Sequence, residues 1–415
     1  MRTTRDFDIL ILITSALLII IGLCLIYSVF HPPSSGYSQD VSYMFFNRQL
    51  MWVCFAIVAL LIGYATPVRY FEALAYVIYA VCVVALTLIL FTKGTQTTER
   101  WIALGPMRVQ PSEFMKIALL FTWGRVLSGH FSPGDRLRKT LIVFGVSLVP
   151  FLLVLKQPDL GTAIVFFVML LPVLYWRGFK GRQIFLILSP IVASLLIIHS
   201  EEITKNSWPF GVFIVIIFVV AYLRRSHLLE SISLVAANVG VGLILPVFWG
   251  TLKTYQQKRI LNFLDPDSDK LGAGWQVFQS KIAIGSGGIS GKGYLEGTQK
   301  ALEFLPAKHT DFVFSVLGEE MGFVGAILVL MVFAVLISRA LAMAVKVKSQ
   351  FSSTVCVGIA AYFFFQVFIN VAMTTGMAPV TGIPIPFLSY GGSSLVVSCF
   401  FIGFLLNCSV RWYEY

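Results

Sequence analysis

Three carboxylates lie within five residues of one another, at Asp265, Asp267 and Asp269, in the longest polar stretch of a very hydrophobic chain. A carboxylate can serve as the general base that takes the proton from an attacking hydroxyl group. The D-x-D-x-D spacing also occurs in calcium-binding loops, but here no glycine follows at the next position and no glutamate at the bidentate position. A general base is therefore the favoured interpretation. Asp265, followed by a proline, is the better turn former, and Asp269 is the freer group.

Several cationic side chains are candidates for binding an anion beside such a base. Arg100 and Trp101 precede an apolar run, and Lys116 lies inside that run, three residues after Glu113. An ionisable residue in or beside a membrane span is a functional candidate by default. An i,i+3 ion pair that fixes helix packing explains Glu113 and Lys116 equally well. The polar stretch itself adds Arg259 and Lys281.

Three further features allow both a structural and a functional interpretation. Gln157 to Thr162 reads as a tight turn followed by a helix start, so Asp159 is most simply a helix cap, with catalysis as the alternative. The glycine-rich run 285–293 resembles a phosphate cradle, yet it lacks the P-loop pattern and no strand precedes it. His309 has no second histidine or cysteine close by, and such a residue more often orients a neighbour or caps the next span than binds a metal.

The elements that must position these residues are membrane spans. Of the 415 residues, 57% are hydrophobic and only 12% are charged, and the mean hydropathy is +0.84. This composition predicts an all-α polytopic membrane protein, with a single transmembrane domain over residues 1–415. All six cysteines lie in apolar segments, which argues against a disulfide framework or a metal site. The net charge of +11 is scattered between spans and therefore does not indicate nucleic-acid binding.

Apolar runs predict about twelve transmembrane helices. They cover residues 9–30, 50–65, 71–91, 114–127, 141–155, 162–176, 184–198, 210–223, 232–249, 312–337, 353–374 and 393–410. If the short loops rich in Lys and Arg are cytoplasmic, both termini are cytoplasmic and loop 251–311 is extracytoplasmic. A polar loop of that length between spans is expected to be functional. Within it, residues 274–285 are expected to form a helix whose apolar face, with Trp275 and Phe278, lies in the membrane interface. The alternative is an ordinary loop helix packed on the spans.

Six motifs, in this order along the chain, resemble those of the SEDS family (shape, elongation, division and sporulation). They are RWIALG at 100–105, QPSEF with Lys116 at 110–116, KQPDLGT at 156–162, QSKIAIGSGG at 279–288, LPAKHTDF at 305–312 and GIPIPFLSYGGSS at 382–394. The similarity spans nearly the whole chain and is highly specific. Within the family, residues 379–384 resemble the elongation type more than the division type.

The resemblance implies a peptidoglycan glycosyltransferase of the bacterial inner membrane that polymerises lipid II during elongation. It also implies a class B penicillin-binding protein as transpeptidase partner, alongside the elongation machinery. The alternatives are a lipid II flippase or transporter, a division-specific polymerase, and a scaffold that only recruits the transpeptidase. Relatives in this family usually have ten spans, so residues 184–249 are expected to hold an extra transmembrane hairpin.

Within the resemblance, the essential loop aspartate matches Asp269, with Asp265 in reserve. The expected substrate-binding residues combine the family motifs with the cations that a departing pyrophosphate requires. They are Arg100, Trp101, Lys116, Gln157, Asp159, Arg259, Lys281 and His309. No cofactor is certain from the sequence, and a divalent cation, Mg or Mn, is the alternative to the Lys and Arg set.

Overall fold

The structure of this protein is a computed structural model. It describes residues 7–30, 39–91, 100–104, 107–129, 133–179, 181–200, 206, 208–223, 235–236, 238–240, 245, 249–250, 257, 259–261, 263, 273–301 and 309–413. Two compact units make up the chain, one formed by residues 1–177 with 276–415 and the other by residues 178–275.

The described residues form helices and one short β-hairpin. The helices are α1 Ile9–Phe30, α2 Gln39–Ala65, α3 Val68–Phe91, α4 Pro111–Leu127, α5 Pro133–Lys156, α6 Leu160–Trp176, α7 Gly181–Ile198, α8 Trp208–Leu223, α9 Ala273–Ser286, α10 Thr298–Ala301, α11 Val313–Lys346, α12 Gln350–Thr374 and α13 Gly392–Val410. The strands are β1 Ile102–Leu104 and β2 Met107–Val109, which pair antiparallel with Ile102 opposite Val109. The hairpin was not expected from the sequence, where these residues read as loop.

Seven of the described helices are long and apolar enough to cross a membrane. They are Ile9–Phe30, Tyr43–Ala65, Val68–Phe91, Arg138–Lys156, Val313–Lys346, Gln350–Thr374 and Gly392–Val410. The predicted all-α polytopic class is therefore confirmed. Helices α7 and α8 match two of the predicted spans, but residues 184–249 lie partly outside the described residues. The count of twelve spans and the extra hairpin accordingly stay predictions.

Helices α12 and α13 form the centre of the larger unit. Their apolar windows are mostly buried inside the protein, whereas only 17% of that of α2 and 22% of that of α3 are buried. Helix α13 packs closely on α2 because both carry a glycine at the contact. A Cβ atom added to Gly403 would lie 2.1 Å from the Leu60 carbonyl oxygen, and one added to Gly63 would lie 2.6 Å from that of Phe400. Small residues at such a crossing let two transmembrane backbones approach.

Local sequence signals account for where several helices begin. Helix α4 begins with Pro111 in its first turn, where proline is tolerated, and Glu113 in the same turn favours the positive end of the helix dipole. Helix α12 begins after Ser349, whose hydroxyl accepts a hydrogen bond from the Ser352 amide at 3.3 Å.

Contacts between loops define the two ends of the larger unit. At one end Arg177 donates to the carbonyl oxygen of Leu127 and to the Gln350 side chain, the latter at 2.8 Å. We call this the Arg177 end. The other end carries the β-hairpin and is called the hairpin end. It holds the turn between α5 and α6 and the segment before α13.

Candidate functional site

Arg100 binds the turn between α5 and α6 at the hairpin end. Its Nε donates to the Gln157 carbonyl oxygen at 2.9 Å, and its Nη2 donates to the Pro158 carbonyl oxygen. Its Nη1 lies 3.7 Å from Asp159 Oδ1. The side chain of Gln157 is buried and donates to the Leu86 carbonyl oxygen at 2.9 Å. Three of the expected substrate-binding residues, Arg100, Gln157 and Asp159, are thus brought together by one turn.

Asp159 caps helix α6 and joins it to the segment before α4. Its Oδ1 accepts from the Thr162 amide at 3.2 Å, and its Oδ2 accepts from the Thr162 hydroxyl at 3.0 Å. The Gln110 side chain also donates to Oδ2, at 3.2 Å. The Gln110 amide in turn donates to Ser393 Oγ at 3.0 Å, at the start of α13. The cap interpretation of Asp159 is confirmed, and a role in substrate binding stays a prediction.

Lys116 lies in the interior of the larger unit, and only 2% of its surface is exposed. Its Nζ lies 2.5 Å from Glu113 Oε1 and 5.4 Å from the ring centroid of Tyr362. With the Gln366 amide in the orientation that satisfies both its ends, Gln366 accepts from Lys116 Nζ at 2.9 Å and donates to the Pro384 carbonyl oxygen at 3.2 Å. The ion-pair interpretation is confirmed. The ammonium faces protein groups in this conformation, so it meets an anion only if this network opens.

His309 packs in an aromatic cluster near the start of α11. Its ring centroid lies 5.4 Å from that of Phe30, 6.0 Å from that of Phe45 and 5.7 Å from that of Tyr390. Its carbonyl oxygen accepts from the Tyr390 amide at 2.8 Å. His309 therefore helps to fix the loop before α13, which agrees with the interpretation that it orients a neighbour.

Two arginines that sequence reasoning missed lie near this cluster. Burial raises the pKa of Tyr390, and the positive charges of Arg48 on α2 and Arg108 on β2 oppose that rise. Neither arginine has an ion-pair partner among the residues that the structure describes. The position of Arg108, two residues before the QPSEF motif, was a signal that could have drawn attention to it. Both are candidates for binding an anion at the hairpin end.

Helix α9 forms as predicted and packs against the end of α12. Ser280 Oγ donates to the Thr374 carbonyl oxygen at 2.6 Å. Lys281 is exposed and lies over Gly376, since a Cβ atom at that glycine would be 2.6 Å from Lys281 Nζ. Phe278 is 55% exposed. An exposed aromatic ring beside an exposed lysine fits the expected interfacial helix.

The glycine-rich run 285–293 has a packing role. A Cβ atom at Gly287 would lie 2.0 Å from the Gly318 carbonyl oxygen, and one at Gly291 would lie 2.1 Å from that of Glu320. Gly291 also has a φ of +83°, which favours glycine. Side chains are excluded at these two positions because both glycines lie directly on the backbone of α11. The resemblance to a phosphate cradle is thereby corrected.

Other predicted site residues are not brought into these clusters. Asp265 and Asp269 lie outside the described residues. Trp101 is 40% exposed beside Arg100, and Arg259 belongs to the smaller unit. Within the described ranges, no group of three His, Cys, Asp or Glu side chains is placed to hold a metal ion. A divalent cation therefore stays a prediction.

Comparisons with known proteins connect this geometry to a family. The family model FTSW_RODA_SPOVE, described as cell cycle protein, matches residues 8–208 and 190–414. The chain is 36% identical over 365 residues to the peptidoglycan glycosyltransferase MrdB of Escherichia coli K12, which covers 88% of this chain and 84% of the relative. It is 32% identical over 437 residues to the peptidoglycan glycosyltransferase RodA of Treponema pallidum, covering 99% of each.

One chain of a solved structure shares this fold along nearly its whole length. That structure is described as showing the structural coordination of polymerization and crosslinking by a peptidoglycan synthase complex. The matching chain in it has a TM-score of 0.70 and 25% sequence identity to this protein, and the match covers 99% of both chains.

Proposed function

This chain belongs to the FTSW_RODA_SPOVE family of cell cycle proteins, and we propose from that premise that it polymerises lipid II into the glycan strands of peptidoglycan. It is a multi-pass membrane protein and a peptidoglycan glycosyltransferase, as MrdB and RodA are. The observation that carries the proposal is the 36% identity to MrdB along 88% of the chain. The motifs around Arg100, Lys116 and Asp159 lie within residues 8–208, which the family model matches.

The reaction joins a sugar hydroxyl of the acceptor to the anomeric carbon of the donor. The new C–O bond forms as the bond to the lipid pyrophosphate breaks, so the configuration at that carbon is inverted. The hydroxyl proton passes to a base, and the leaving pyrophosphate carries the negative charge. We assign the base to Asp269, with Asp265 in reserve, because these are the carboxylates that the family pattern and the polar loop supply.

Cationic side chains at the hairpin end supply the charge that the pyrophosphate requires. Arg108 and Lys281 are exposed there, and Arg48 is half-buried. Arg100 is held by two carbonyl oxygens and Asp159, so it serves first to shape the turn before α6. Lys116 adds a buried positive charge whose carboxylate partner lies at 2.5 Å. In this assignment the exposed cations bind the pyrophosphate of the substrate first. Lys116 binds it only after the ion pair between Lys116 and Glu113 has opened.

Orientation and partnership belong to the same proposal. Arg125, Arg177 and Arg339 lie at the Arg177 end or beside it, which fits a cytoplasmic location by the positive-inside rule. The hairpin end and loop 251–311 are then extracytoplasmic, and both termini are cytoplasmic. The likeness to a chain of a peptidoglycan synthase complex supports a class B penicillin-binding protein as partner. The similarity to MrdB and RodA supports a role in elongation over one in division.

The test is polymerisation of labelled lipid II by the purified protein together with its class B partner, followed by analysis of glycan length. The wild type is expected to form long strands, and Asp269→Ala is expected to form none. Asp267→Ala is the matched control, since it removes a neighbouring carboxylate of the same loop. A protein that moves lipid II across vesicle membranes without polymerising it would refute the glycosyltransferase and favour the transporter.

A further inference from the structure

Helix α11 is broken near its first third. Gly322 there has a φ of 65° and a ψ of −167°, which no helical residue adopts. The break leaves backbone groups without partners inside the helix. Two of them are satisfied by the glycine-rich run, because the Phe323 amide donates to the Gly288 carbonyl oxygen at 2.9 Å and the Val324 amide donates to that of Ile289 at 3.1 Å. The run therefore caps the second part of the helix.

The same run also satisfies the first part of α11. The Lys292 amide donates to the Glu319 carbonyl oxygen at 3.0 Å, and the Gly293 amide donates to that of Glu320 at 3.1 Å. Irregular backbone within a membrane protein is tolerated only where protein groups satisfy it. Residues 288–293 and the break in α11 consequently form one interlocked unit, held by four backbone hydrogen bonds.

The Glu319 side chain extends this unit to the segment that follows. It is fully buried, and its Oε1 accepts from the Thr298 amide at 2.8 Å, the Thr298 hydroxyl at 3.0 Å and the Gln299 amide at 3.1 Å. Lys292 Nζ donates to the same oxygen at 2.8 Å. Glu319, which belongs to α11, thus caps the start of α10 and also forms an ion pair with Lys292.

We propose that Glu319 is a positioning residue of the glycosyltransferase: its carboxylate fixes residues 292–299, the returning arm of the large loop, on the first part of α11. The inference rests on the proposed function, in which that loop carries the base. One end of the arm is continuous with α9 and Lys281, and the other leads to His309. A reacting group displaced by about 1 Å can cost on the order of a hundredfold in rate. Glu319 contributes by holding the arm and does not itself touch substrate.

A carboxylate suits this position because four donors converge on a single buried oxygen. Hydrogen bonds to an ionised acceptor are roughly twice as strong as those between neutral groups. Glutamine keeps the shape and one acceptor oxygen, but it loses the charge that holds Lys292. Glu319→Gln is therefore the sharpest variant. Thr298→Val and Lys292→Gln test the same contact from residues that are at least partly exposed, so neither requires a change inside the core.

A matched control exists at the opposite end of the larger unit. Asp8 is also a buried carboxylate, and its Oδ2 accepts from Arg339 Nε at 2.8 Å and Nη2 at 2.6 Å. Asp8→Asn removes a comparable buried ion pair far from the hairpin end. If Glu319 matters only as one more buried pair, the two variants will behave alike.

Two measurements on the purified full-length protein test the proposal. Hydrogen–deuterium exchange of the peptide covering residues 292–301 is expected to be faster in Glu319→Gln than in the wild type or Asp8→Asn. In lipid II polymerisation with the class B partner, kcat of Glu319→Gln is expected to fall about tenfold or more with KM unchanged. Thr298→Val and Lys292→Gln should lower kcat in the same direction by less, and Asp8→Asn should keep the wild-type kcat.

The outcomes separate this inference from the proposed function. Unchanged exchange in residues 292–301 would overturn the anchoring, whatever the activity. A wild-type kcat in Glu319→Gln, or an equal loss in Asp8→Asn, would overturn the positioning role in a protein that polymerises lipid II. A wild-type protein that polymerises no lipid II would refute the proposed function, and the exchange result would still decide whether Glu319 anchors the arm.

Discussion

Replacing Lys116 by methionine should destabilise the protein strongly, because it leaves a buried carboxylate without its cation. Glu113 is 3% exposed, and its second oxygen, Oε2, has no hydrogen-bond partner among the residues that the structure describes. Removing one partner of a buried ion pair costs about 3–5 kcal/mol. Replacing both partners by well-packed apolar residues of similar volume is often neutral or stabilising. We therefore expect Lys116→Met to lose about that much stability, and Glu113→Leu/Lys116→Met to recover most of the loss.

The assay is thermal unfolding of the detergent-solubilised single and double variants, followed by lipid II polymerisation at a temperature where all of them are folded. The double variant is expected to be stable and inactive, because the ammonium is also the buried positive charge assigned to the departing pyrophosphate. A single variant with wild-type stability would refute the energetic argument. A double variant that polymerises at the wild-type rate would refute the substrate role of Lys116 and leave it a packing residue.

The remaining predictions concern the loop, the metal and a surface helix. Asp269→Ala should abolish polymerisation while membrane insertion and partner binding persist, and activity in all three single variants at 265, 267 and 269 would exclude a base in this cluster. Chelation by EDTA should leave the polymerisation rate unchanged if Lys and Arg side chains stabilise the pyrophosphate, whereas a loss restored by Mg or Mn would identify a metal requirement. Ile216 on α8 is 52% exposed, so Ile216→Asp should impair insertion or assembly and Ile216→Leu should not, as judged by the amount of folded protein in membranes. We expect α8 to face lipid or a partner helix and to line no substrate path, so crosslinking of a photoreactive lipid II to residues 210–223 as strongly as to Trp275 would contradict this expectation.

The sequence by itself determined the features that depend on neighbouring residues. Apolar runs of sufficient length predicted the membrane helices, because a span must satisfy its own backbone inside the bilayer. The spacing of Glu113 and Lys116 predicted their ion pair, since residues three apart lie on one side of a helix. Asp159 was identified as a cap from the turn that precedes α6, and α9 was placed within a residue at each end. The family motifs predicted the class of enzyme.

Only the tertiary structure decided which distant groups meet. Gln366 lies 250 residues from Lys116 in the sequence and still accepts its hydrogen bond. Glu319 stands at the start of a long apolar run and gave no sign that donors 20 to 27 residues upstream converge on it. The glycine-rich run suggested phosphate binding until its backbone was seen to fill the break at Gly322. Local periodicity fixes a helix, whereas the partner of a buried polar group is chosen by packing between segments that are remote in the chain, because burial makes any unsatisfied group costly.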